Sequence, residues 1–132
     1  MSERDPIQTC IDNWHLHLRG ELPGGLDSIL HEDCVFLSPI VFTPQKGREV
    51  TKLYLTAAAG TLGGTDGTVT DATISPSSDD SFGYVKEILQ GHHAMLEFET
   101  TVEGKYANGV DIITCDDDGM ITEFKVMMRP LQ

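Results

Sequence analysis

The chain is poor in positive charge: nine Lys and Arg stand against 21 Asp and Glu among 132 residues, a formal net charge of −12. That balance argues against binding nucleic acid or an anionic lipid surface, because neutralising phosphate needs clustered cations. No stretch approaches the roughly 18 consecutive apolar residues of a membrane span. Met1-Ser2-Glu3-Arg4-Asp5 also lacks the basic-then-apolar layout of a secretory signal, so a cytoplasmic protein with no membrane partner is expected. Cysteine is scarce. Cys10, Cys34 and Cys115 are odd in number and have no C-x-x-C spacing, which suggests neither a disulfide framework nor a zinc knuckle and leaves small core residues. Internal repeats and low-complexity segments are missing too. The length suits one domain, 1–132, with core enough to fold without staples.

Metal and phosphate signatures are also lacking. His15 and His17 are two apart on a predicted helix, His92 and His93 are adjacent on a predicted strand, and His31 stands alone at a helix end, so no pair shares a face as ligands must. Asp116-Asp117-Asp118-Gly119 lacks the alternating ligands and later glutamate of a calcium loop. Gly60, Gly63, Gly64 and Gly67 do not lead a helix with Lys-Ser or Lys-Thr. No metal or cofactor is expected.

What is present is an ordered run of elements. Asp5-Pro6 predicts an N-cap followed by proline at the first helical position, with Gln8 as capping-box partner. Ile7, Ile11, Trp14 and Leu18 make one apolar face, and Gly20 ends it. A short second helix is predicted at about 24–31, then a strand over 33–39 closed by Pro39. After Gly47 comes a third helix striped by Val50, Leu53, Tyr54, Ala57 and Ala58, fading into a loop at 60–67. From Thr68 the period falls to two: Val69 to Ile74, Phe82 to Leu89, Ala94 to Val102, Tyr106 to Cys115 and Met120 to Met128. Gln90-Gly91, Glu103-Gly104 and Asp118-Gly119 are hairpin turns in waiting. Helices first and a meander after them predict an α+β domain with three N-terminal helices covering a sheet.

This order, with Asp33-Cys34-Val35-Phe36-Leu37-Ser38-Pro39 and Asn108-Gly109-Val110-Asp111-Ile112-Ile113-Thr114-Cys115 followed by Asp116 to Phe124, resembles the NTF2-like superfamily, in its SnoaL-like and ketosteroid-isomerase-like branches, from about Pro6 to Leu131. The resemblance implies a cone-shaped, strongly curved antiparallel or mixed sheet closed by helices around an apolar pocket, and a homodimer through the outer sheet face. It implies a small hydrophobic ligand bounded by Trp14, Phe36, Leu96, Phe98, Ile113, Phe124, Val126 and Met128, with Asp111, Ser38 and Tyr54 as the catalytic candidates. Strand parity independently puts Asp111 with Ile113, Leu96 with Phe98, and Phe124 with Val126 and Met128.

The isomerase-like branch carries its carboxylate base where this chain has Ser38, and its helix-borne tyrosine where this chain has Trp14. Ordinary ketosteroid isomerase activity is therefore not expected. Asp111 either moves a proton at the ligand or holds neighbouring groups in place. Ser38, without a G-x-S-x-G elbow, reads as a hydrogen-bonding pocket residue. Trp14 reads as a core aromatic first and a ligand contact second. Three functions stay open: an acid–base isomerase, lyase or cyclase on a carbonyl compound, a non-catalytic binding module, and an interaction protein.

Overall fold

The computed structural model describes residues 4–62, 82–102 and 104–130. Helix α1 (Pro6–Leu18) is followed by a single 3-10 turn (Gly25–Ser28), strand β1 (Leu30–Leu37), the two-residue β2 (Gln45–Lys46) and helix α2 (Arg48–Leu62). Strands β3 (Gly83–Gln90), β4 (His93–Val102), β5 (Lys105–Cys115) and β6 (Ile121–Arg129) complete one six-stranded sheet in the order β2-β1-β6-β5-β4-β3. The sheet is curved and mixed: β1 runs parallel to β6 and every other pair is antiparallel. Among the described residues no helix is long and apolar enough to cross a membrane.

Period two decides which face each strand residue takes. Leu96, Phe98, Ile113, Phe124 and Val126 point inward and are buried, while their neighbours Met95 and Met127 are about half exposed on the outer face. Ile7, Cys10, Ile11 and Trp14 of α1 lie on this inner layer, each large side chain contributing roughly 1.5–3 kcal/mol by leaving water. The three cysteines are free and buried in the same core. The turns predicted at Gly91, Gly104 and Gly119 are left-handed, with φ of 62°, 80° and 81°.

Four expectations change. The second helix shrinks to the 3-10 turn because β1 already begins at Leu30, whose partner is Ile121, so two α-helices are found rather than three. His31 consequently lies in β1, where its Nδ1 accepts the Asp33 N–H at 2.9 Å. The Asp5 side chain does not cap α1; it accepts the Gly91 N–H at 2.7 Å while Ile7 N–H donates to the Gly91 carbonyl at 3.0 Å, tying the helix start to the β3–β4 turn. Helix α2 buries Thr51 and Leu55 and leaves Leu53 71% exposed. Thr51 can lie inside because its hydroxyl donates to the Gly47 carbonyl at 2.8 Å. Gly60 belongs to α2, and the strand predicted over Val69 to Ile74 lies outside the described residues.

Candidate functional site

Asp111 sits in the middle of β5, facing inward and only 6% exposed. Tyr84 of β3 donates its hydroxyl to Asp111 Oδ2 at 2.5 Å, and Trp14 Nε1–H donates to the Tyr84 oxygen at 3.0 Å. Three residues from α1, β3 and β5 thus form one donor chain ending on a carboxyl. Burial pushes the Asp111 carboxyl up to about 7, opposed only in part by the bond from Tyr84. Tyr84 is itself driven well above the usual phenol range, by burial first and by the adjacent Asp111 second, so it stays a hydroxyl and a donor. A carboxyl that titrates near neutrality both takes and returns a proton under ordinary conditions.

The apolar candidates surround this chain of bonds. Trp14 packs on Phe124 with ring centroids 5.0 Å apart, and Phe36 stacks on Tyr54 at 5.1 Å. Leu96 and Val126 are the cross-strand partners of Asp111 on either side. Ile113 lies two residues along the same face, fully buried, and Met128 is partly buried at its edge. Phe98 lies across from β5 where Gly109 gives it room: a Cβ there would collide with the Phe98 ring.

Ser38 stands apart from the Trp14–Tyr84–Asp111 chain. Its hydroxyl accepts the N–H groups of Ile40 and Val41 at 3.0 and 3.2 Å, forming a turn just beyond β1. It borders an open cleft of about 540 Å³ whose floor includes Val126 and Met128. Tyr54 contributes a ring against Phe36 on the α2 side of the core. Among the described residues no three metal-ligating side chains gather; His15 pairs with Glu87 at 2.8 Å and His92 with Asp117 at 2.7 Å.

Sequence reasoning missed Tyr84. Counting by twos from inward Leu89 puts Glu87 and Val85 inside and Tyr84 outside, but the β3–β4 register shifts between Tyr84 and Lys86. That bulge turns Tyr84 inward opposite Phe98 and leaves Val85 54% exposed.

No family model matches the chain, and no curated protein matches it in sequence. Solved structures do. A steroid delta-isomerase from Pseudomonas aeruginosa is 28% identical with a TM-score of 0.77, over 99% of this chain and 85% of that one. A protein of cystatin-like fold from Silicibacter pomeroyi is 26% identical with a TM-score of 0.66, over 92% and 74%. An NTF-2 like protein from Burkholderia xenovorans is 15% identical with a TM-score of 0.62, over 96% and 86%, a likeness of fold alone.

Proposed function

Since the chain belongs to the NTF2-like superfamily, on the side of its steroid-isomerase-like members, we propose that it binds a small hydrophobic carbonyl compound on the inner face of the sheet and acts on it as an isomerase, lyase or cyclase. The observation that carries this reading is a buried carboxyl, Asp111, titrating at about 7 and hydrogen-bonded to Tyr84 at 2.5 Å. Ionised Asp111 takes a proton from the carbon beside the carbonyl. Neutral Asp111 returns it elsewhere on the substrate. Tyr84 steadies the carboxylate before the first step and after the second, and Trp14 orients Tyr84. The apolar surround excludes water and strengthens each of these interactions. Ser38, held in its turn, takes no proton. Asp111→Asn is expected to abolish turnover of aromatic and alicyclic ketones while the protein stays folded; undiminished turnover refutes the proposal.

A non-catalytic binding module is the second reading, supported by Ser38 standing where the resemblance calls for a carboxylate. Tight binding without turnover across steroids, polyketides and aromatic carbonyls separates it from the first. We also propose a homodimer through the outer sheet face, where Ile88, Met95 and Met127 are 55%, 46% and 50% exposed. Lys86, Glu97 and Arg129 beside them offer both signs of charge, as a self-complementary patch needs. Met95→Glu is expected to yield a monomer in sedimentation; a wild type that is already monomeric ends this idea.

A further inference from the structure

Strand β1 stops short. Its last partner on β6 is Lys125, opposite Leu37, yet β6 runs on to Arg129. The edge of β6 from Val126 onward therefore has no β1 neighbour, and the resulting notch is the open cleft of about 540 Å³, within the roughly 300–1,000 Å³ usual for small-molecule sites. Leu37, Pro39 and Phe42 form one wall, Val126 and Met128 the floor, and Lys125 the rim. Val126 is also the cross-strand partner of Asp111, so the floor of the notch reaches within one strand of the carboxyl.

Two features of this notch are unexplained by folding. Phe42 is 98% exposed, a large apolar group held out in water on a loop whose base is tied to the Ser38 hydroxyl. Lys125 is half-buried yet makes no ion pair or hydrogen bond among the described residues. The other lysines without an ion pair, Lys46, Lys86 and Lys105, are all exposed. In a chain of net charge −12, a shielded and unpaired ammonium beside an apolar cleft is a local exception that suits an anion.

Resting on the inner-face site described above, we propose that the notch selects the substrate class: a hydrophobic carboxylic acid, its ring system covered by Phe42 against Val126 and Met128, its carboxylate meeting Lys125, and its carbonyl or hydroxyl end toward Asp111. The apolar body supplies affinity and the ammonium supplies selection, since rim charges discriminate among ligands more than they hold them.

Fluorescence titration with 6-hydroxy-2-naphthoate and 2-naphthol tests this. The acid is expected to bind about fivefold more tightly, the size of a partly screened ion pair. Lys125→Gln should erase that preference without touching naphthol binding, and Phe42→Ala should weaken both probes about tenfold through lost apolar contact. Raising salt should narrow the gap between the probes. A preference for naphthol, or a preference for the acid that survives Lys125→Gln, overturns the proposal. If both probes bind, weaken with Asp111→Asn and ignore Phe42 and Lys125, the notch is not a subsite while the inner site stands. If neither binds, both readings fall.

Discussion

Replacing Asp111 with Asn should make the protein more stable at pH 8 and leave it nearly unchanged at pH 4. In the unfolded chain the carboxyl titrates near its ordinary 3.8, whereas in the fold burial moves it to about 7. Between those values the native state binds more protons than the unfolded state, so stability falls as pH rises, by up to about 1.4 kcal/mol per pH step, and levels off above about 7. The whole interval corresponds to roughly 4 kcal/mol. Asparagine keeps an acceptor for Tyr84 and carries no charge to desolvate, so it escapes this loss. Urea melts of both proteins from pH 4 to 8 isolate the effect, because every other carboxyl is common to the two and cancels in the difference. The gap should open between pH 4 and 7 in favour of the variant. A gap independent of pH, or a variant less stable at pH 8, refutes the assignment of a desolvated carboxyl.

Tyr84→Phe leaves the Trp14 N–H without its acceptor and Asp111 without its donor; urea melts should show a loss of about 1–3 kcal/mol. Because the Tyr84 bond is what holds the Asp111 carboxyl down, the pH at which stability levels off should also move upward. Gly109→Ala drives a methyl against the Phe98 ring and to 2.7 Å from the Met127 carbonyl oxygen, and should cost about 1–3 kcal/mol in thermal melts. On α2, Leu55→Ala should cost about 2–5 kcal/mol while Leu53→Gln stays within about 0.5 kcal/mol; equal losses at the two positions would mean the helix packs by a different face.

The legible parts of this molecule were those governed by short-range rules. Glycines at 91, 104 and 119 announced left-handed turns, and these set the β3–β4, β4–β5 and β5–β6 hairpins. Alternation along 107–115 put Asp111 with Ile113 on the covered face. The parts that escaped depend on what lies opposite. Helix α2 carries overlapping stripes, and the choice of Thr51 over Leu53 for burial rests on a hydroxyl finding the Gly47 carbonyl. The residues after Gly24 have helical spacing, but pairing of Leu30 with Ile121 claims them for the sheet. Tyr84 escaped because a bulge reverses parity without leaving a mark in residue types. Ser38 matches a catalytic position of the resemblance by its place before Pro39, and what its oxygen does was visible only in the turn it closes.

The parallel partnership of β1 with β6 joins two strands that the rest of the sheet separates in sequence. As the protein is made, Leu30 through Leu37 must wait for Ile121 through Arg129 to emerge, and during that delay the strip that will seat Phe36 against Phe124 is open to wrong neighbours. A topology of such high contact order slows folding and rewards assistance in keeping nascent apolar strands apart. It also means that two distant strands share a fate: loosening β6 releases β1, and with it the wall that carries Phe42.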